Sequence, residues 1–168
     1  MTKDFRRVLF LCTGNSARSV LAEALLNHLG DGKFAAFSAG SHPTGGINPF
    51  AIETLHLHEI PSGNPRSKSW DEFAQSDSPP IDIVITVCDN AAGEVCPIWP
   101  GHPLTAHWGI DDPAAVGGTA EQKLAAFRKA FFALKQRIEQ LIDLHLASMD
   151  SQRLQSELAR IGKSRPTA

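Results

Sequence analysis

Val8-Leu9-Phe10-Leu11-Cys12-Thr13-Gly14-Asn15-Ser16-Ala17-Arg18-Ser19 is the stretch whose order of residue types decides how this chain folds. An apolar run stops at a cysteine. Small and polar residues follow, then an arginine, then apolar residues at helical spacing. That is the order of a strand, a tight loop and a helix, with Cys12 where the strand ends. Residues 13–17 can turn their backbone N–H groups onto one point, and a helix opening at Arg18 aims its positive end at the same point. Such a nest takes a tetrahedral oxyanion. Thr13, Gly14, Asn15, Ser16, Ala17, Arg18 and Ser19 are the candidate oxyanion-binding residues, with Arg18 closing the nest as a two-pronged donor. The same field is expected to lower the pKa of Cys12, and Ser19 to donate a hydrogen bond to its thiolate. A thiolate facing a bound oxyanion is arranged for covalent catalysis. The competing view makes Cys12 a small core residue at the end of a buried strand. The Gly-Asn pair and the arginine six residues on weigh against it.

Outward from this stretch, strands and helices alternate. Residues 5–11 read as a strand buried on both faces, and residues 18–29 as a helix stopped by Gly30 and Gly32. Residues 34–39 form a second strand, and Asn48-Pro49 caps a short helix over 50–58. Ser69-Trp70-Asp71-Glu72 has the form of a capping box. Residues 81–87 form a third strand ending at Cys88, and residues 104–108 a fourth. Cys96 lies in a loop or short helix between them. Thr119-Ala120-Glu121-Gln122 is a second capping box. It opens a long helix with Leu124, Phe127, Phe131, Leu134, Ile138 and Leu141 on one face. Alternation of this kind gives a mostly parallel sheet with helices on both faces. Residues 1–147 are expected to form one domain, with 148–168 a polar, basic extension carrying one more helix. His56 and His58 fall on different helix faces and are expected in solvent.

The chain has 168 residues, a formal net charge of −2, three cysteines and no tyrosine. A near-neutral balance gives no reason to expect a nucleic-acid partner, and no apolar run reaches membrane-spanning length. A soluble, cytoplasmic monomer is expected. The odd cysteine count argues against a structural disulfide framework and for redox-active thiols. Cys88, Cys96, His102 and His107 have the residue types of a zinc set, but their spacing is not that of a zinc motif.

Cys12-x5-Arg18-Ser19 directly after the first strand resembles the phosphate loop of the low-molecular-weight protein tyrosine phosphatase superfamily. The loop is most similar to that of its arsenate reductases. Downstream, Val84-Ile85-Thr86-Val87-Cys88, then Cys96-Pro97, then His107-Trp108-Gly109-Ile110-Asp111-Asp112-Pro113 match the same reductase pattern. The resemblance covers about residues 5–145. It implies a three-layer α/β/α sandwich around a four-stranded parallel sheet.

The resemblance also implies roles. Cys12 would attack arsenate, Asp112 would supply the proton that the departing oxygen needs, and Cys88 then Cys96 would carry the oxidation away as a disulfide. Asp112 has a plainer alternative, since Asp-Pro pairs commonly make turns. Seven residues separate Cys88 from Cys96, one more than in the thioredoxin-coupled pattern. The external reductant is therefore thioredoxin or a glutathione–glutaredoxin pair, with a mycothiol-type partner a further option. Some family members hold potassium behind the loop; the matching residues are Asn15, Glu23, Ser38 and Asp71, against a plain bracing role. Ala17 in the loop, Ala114 after Asp112-Pro113 and the lack of tyrosine favour a small inorganic oxyanion. Tyrosine phosphatase activity ranks second, and a non-enzymatic oxyanion-binding domain third. Trp108 is expected to pack beside the site.

Overall fold

The computed structural model describes residues 5–88, 99 and 101–164. Four strands, β1 (Arg6–Cys12), β2 (Phe34–Gly40), β3 (Ile83–Thr86) and β4 (Leu104–His107), form one sheet in the order β2-β1-β3-β4. Every neighbouring pair is parallel. Among the described residues the α-helices are α1 (Arg18–Leu29), α2 (Pro49–Leu57), α3 (Ala120–Ile142) and α4 (Ser151–Lys163). The expected four-stranded parallel α/β fold is what the chain adopts. Among the described residues no helix is long and apolar enough to cross a membrane.

Side chains alternate across β1, as a pleated strand requires. Val8, Phe10 and Cys12 face the larger core, shared with Leu21 and Leu25 of α1 and Phe127, Phe131, Leu134 and Ile138 of α3. Leu9 and Leu11 face a smaller core with Val84, Trp70, Phe73 and Trp99. Both faces of β1 are dry, so its sequence is an unbroken apolar run rather than an alternating one.

The capping box at Thr119 forms in full. The Gln122 N–H donates to Thr119 Oγ1 at 3.2 Å, and the Thr119 N–H to Gln122 Oε1 at 2.8 Å. The one expected at Ser69 does not. Ser69 caps only a 3-10 turn, Trp70–Phe73, through the Asp71 N–H. The Glu72 carboxylate is instead taken by both prongs of Arg66, at 2.9 and 2.8 Å. His58, expected in solvent, is half-buried. It stacks on Phe131 at 4.5 Å between centroids and meets Phe132 edge-on. Burial, then the neighbouring Arg128, pushes its pKa below the ordinary histidine value.

The polar extension contains more structure than its composition suggests. In α4, Leu154, Leu158 and Ile161 are buried and belong to the same core as Val8 and Phe10. Their i, i+4, i+7 spacing makes the stripe that seats the helix. Gln155 Nε2 donates to the Thr105 carbonyl at 2.7 Å, which ties α4 to edge strand β4.

The register puts Cys12 opposite Gly40, at the C-terminal end of both strands. A Cβ on Gly40 would sit 2.5 Å from the Thr13 carbonyl oxygen and 3.0 Å from the Asn15 nitrogen. Both are backbone atoms of the loop and cannot swing aside. Gly40→Ala is expected to cost about 3 kcal/mol, the upper end for overpacking. Urea unfolding measures it. A loss below about 0.5 kcal/mol, the range of neutral surface changes, would mean that the loop shifts freely.

Candidate active site

The loop after β1 is built by fixing its carbonyls outward. Cys12 O accepts from the Ser41 N–H (3.3 Å), Thr13 O from His42 (2.9 Å), and Gly14 O from Thr44 (3.0 Å). Ser16 O accepts from Asn48 and Ala17 O from Leu21, both at 2.9 Å. Ser67 Oγ adds a second donor to Gly14 O at 3.0 Å. In a trans peptide the C=O and the next N–H point opposite ways. With the carbonyls of residues 12, 13, 14, 16 and 17 bonded outward, the N–H groups that follow them turn inward. The first turn of α1 holds no acidic side chain, and its N-cap Ala17 supplies no side-chain acceptor, so its positive end is left for a ligand.

Asn15 locks this shape. Its φ is +46°, in the left-handed region that asparagine tolerates. Its buried Nδ2 donates to Ser19 Oγ (2.9 Å) and Ser38 Oγ (3.0 Å), and its Oδ1 accepts from the Lys68 N–H (2.9 Å). Ser19 is thus engaged as an acceptor from Asn15. The groups acting on Cys12 are Cys88, Arg18 and the Gly14 N–H.

Cys12 and Cys88 are both buried, and Cys88 is the neighbouring side chain with the largest influence on Cys12. Thr13 Oγ1 lies 3.5 Å from Cys88 Sγ. The neighbouring Cys88, and after it burial, pushes the Cys12 thiol well above the ordinary cysteine value. The Arg18 guanidinium and the Gly14 N–H pull the other way. This corrects the expectation of a simply lowered pKa, which considered only the loop's own field. Two neighbouring sulfurs resist carrying two negative charges. The first thiolate of the pair is helped by Arg18 and the second is opposed. Cys96 lies outside the described residues.

Arg18 links the nest to the downstream motif. Its Nη1 donates to the Ile110 carbonyl at 2.9 Å, and its Nη2 lies 3.7 Å from Asp112 Oδ2. Its Nε is buried with no partner among the described residues. An unmatched buried donor is costly, and a bound oxyanion would satisfy it. The two oxygens of Asp112 are differently placed. Oδ1 accepts from the Ala114 N–H at 3.0 Å and caps the 3-10 turn Pro113–Ala115, while Oδ2 faces Arg18. Its side chain is 44 % exposed, open to proton exchange with water. Asp111 is exposed beside it. Ile110 N–H donates to Val87 O at 3.2 Å, which sets this segment next to Cys88. Trp108, fully buried, packs beneath against Phe10 at 6.3 Å between centroids.

The oxygens matched to potassium are already committed. Ser38 Oγ accepts from Asn15 and donates to Glu23 Oε2 at 3.0 Å, and Asn15 Oδ1 is taken by Lys68. Burial pushes the Glu23 pKa up, with Lys68 the largest opposing influence. Burial likewise lowers Lys68, opposed by Glu23. A protein cation already faces the carboxylate. Asp71 is exposed and opens the 3-10 turn. The residues present therefore do not fit a resident potassium ion. The zinc set does not assemble either. His102 precedes β4 and lines a groove with Arg6 and Asp82 at the opposite end of the sheet from Cys12. Among the described residues no three His, Cys, Asp or Glu side chains cluster as metal ligands.

An oxyanion nest, a cysteine at its floor, a second thiol beside it and an acid near the arginine describe a class of phosphatase-like, thiol-based enzymes. The chain matches the low molecular weight phosphotyrosine protein phosphatase family over residues 7–159 and belongs to it. Within that family it is similar to the arsenate reductase of Bacillus licheniformis, 37 % identical over 139 residues, 82 % of this chain and 96 % of that one. It is also similar to a solved arsenate reductase in its oxidized state. That match has a TM-score of 0.65 and 29 % identity, and it covers 82 % of this chain and 97 % of the other. A Corynebacterium glutamicum thioredoxin-dependent arsenate reductase matches with a TM-score of 0.56 and 26 % identity, over 83 % of this chain and 64 % of that one.

Proposed function

We propose that the chain reduces arsenate to arsenite, with Cys12, Arg18, Asp112, Cys88 and Cys96 as the acting residues. The observation that carries this reading is the placing of Cys88 beside Cys12 at neighbouring strand ends, next to an arginine with an unmatched donor. A phosphatase needs one nucleophilic sulfur; a second one close by is what a two-electron reduction uses. The inward N–H groups and Arg18 hold arsenate. The Cys12 thiolate attacks arsenic, and one oxygen leaves as water with a proton from Asp112. The adduct is a Cys12-bound arsenic(V). The Cys88 thiolate then attacks Cys12 Sγ. The sulfur–arsenic bond breaks with its electron pair going to arsenic, arsenite leaves, and a Cys12–Cys88 disulfide remains. Cys96 attacks Cys88 and frees Cys12. An external dithiol reduces the Cys88–Cys96 pair. The thioredoxin-dependent relative supports thioredoxin in that role ahead of glutathione with glutaredoxin. No step is assigned to potassium.

A second reading, hydrolysis of aryl phosphates, is favoured by one feature. A groove of about 910 Å³ opens beside Asp112, lined by Ile110, Val116 and Phe132. An aromatic leaving group fits such a surface.

Arsenate-dependent NADPH oxidation separates the alternatives, run with thioredoxin and its reductase and in parallel with glutathione and glutaredoxin. Turnover with thioredoxin that needs all three cysteines is the expected result. Turnover only with glutathione, indifferent to Cys96→Ser, would keep arsenate reduction and remove the internal relay. Cys12-dependent hydrolysis of aryl phosphate without arsenate reduction would establish the second reading instead.

A further inference from the structure

The segment carrying Asp112 is held from two sides. From the nest, Arg18 bonds the Ile110 carbonyl. From the opposite side comes Arg137 of α3, only 6 % exposed. Its Nη1 donates to the Gly109 carbonyl at 3.0 Å and its Nη2 to the Ser164 carbonyl, at the C-terminal end of α4, at 3.4 Å. Burying a guanidinium among carbonyls is costly, because dipoles replace water less completely than a carboxylate would. The cost is borne at the residue three before Asp112. Helix α4 is fastened to the same segment. Trp108 Nε1 donates to the Leu158 carbonyl at 3.0 Å inside the core. A Cβ on Gly162 would run into the His107 carbonyl oxygen and sit 2.7 Å from Trp108 Cδ1, so α4 lies directly on the chain entering the segment. Gln140 Nε2 adds a bond to Ser164 Oγ at 3.3 Å.

We propose that Arg137, clamped between Gly109 and the C-terminal end of α4, is a positioning residue for Asp112. The α4 contacts at Trp108 and Gly162 would complete the brace. This rests on Asp112 acting as the proton donor. The charge and fork are explained by the two carbonyls they bridge. Distance matters because an acid displaced by about 1 Å can lose on the order of 10²-fold in rate.

The test is single-turnover loss of thiols when fully reduced protein meets arsenate, read after acid quench, so no external reductant enters. Arg137→Gln is expected to slow thiol loss about 10- to 100-fold. Inhibition by inorganic phosphate should change less than about threefold, because the nest itself is untouched. Arg137→Lys keeps the charge but not the planar fork and should recover only part of the rate. The deciding readout is the double variant. If Arg137 acts through Asp112, adding Arg137→Gln to Asp112→Asn costs nothing further. Additive losses would mean a merely structural residue and overturn the proposal, as would a wild-type rate in Arg137→Gln. Should Arg137→Gln fail to fold, Gly162→Ala, which pushes α4 off Trp108, replaces it in the same cycle with the same two outcomes. If Asp112→Asn alone leaves the rate unchanged, the acid assignment falls and the positioning role with it. No arsenate-dependent thiol loss in the wild type removes the reductase reading itself.

Discussion

Cys88→Ser is expected to lower arsenate turnover by on the order of 10³-fold or more while making Cys12 more reactive toward an alkylating agent. The two effects have one origin. Cys88 is the largest influence raising the Cys12 pKa, so its removal lowers that pKa and increases the thiolate fraction at neutral pH. Alkylation by iodoacetamide, which reports the thiolate, should therefore accelerate near pH 7 and its pH midpoint should fall. The arsenic(V) adduct on Cys12, by contrast, has lost the sulfur that would displace arsenic. A serine hydroxyl cannot form the disulfide or accept the oxidation. Any aryl-phosphate hydrolysis should survive, because water rather than a thiol resolves that adduct. Multiple turnovers of arsenate by Cys88→Ser, in the presence of the reductant that serves the wild type, would show that the nearness of the two cysteines is incidental.

Arg18→Lys should cost about 10²–10³ in kcat/KM for arsenate, the size typical of removing an aligned oxyanion donor. The charge survives this change, so a Coulombic role alone would predict almost no loss. What disappears is the fork. In the free protein one prong already holds the Ile110 carbonyl, another lies near Asp112, and Nε waits without a partner among the described residues. A lysine ammonium cannot serve an oxyanion and the Ile110 carbonyl in the same plane. Phosphate should become a weaker competitive inhibitor by a comparable factor, and the unfolding midpoint should move little, since Arg18 supports a ligand site rather than the core. Retention of full activity with lysine would mean that only net charge matters at this position.

Much of this architecture is legible in the amino-acid order alone. The apolar run ending at Cys12 and the loop to Arg18 determine the strand, nest and helix, because each rests on local geometry. Strand ends, small loop residues and helix starts are decided within a few residues of chain. The alternation of strands and helices determines a parallel sheet, since parallel neighbours require crossovers. The Thr119 capping box and the apolar face of α3 are readable for the same local reason. The Ser69 box misleads for a nonlocal reason, as Glu72 finds a better partner in Arg66. Lys68 beside the potassium set is equally unannounced, because nothing near Glu23 in sequence points to it.

Tertiary structure alone decides the electrostatics of the chemistry and its supports. Cys12 and Cys88 are 76 positions apart in the chain, and only the pairing of β1 with β3 brings their strand ends together. That neighbour, together with burial, reverses the direction of the Cys12 pKa expected from the loop's field. The C-terminal residues look like a polar tail because α4 presents a narrow apolar stripe among charged residues. That stripe is buried only because edge strand β4 and Trp108 offer it a surface. Arg137 in the helical sequence of α3 looks like any surface arginine. Its burial against Gly109 and Ser164 follows from how three elements pack, and no local pattern encodes it.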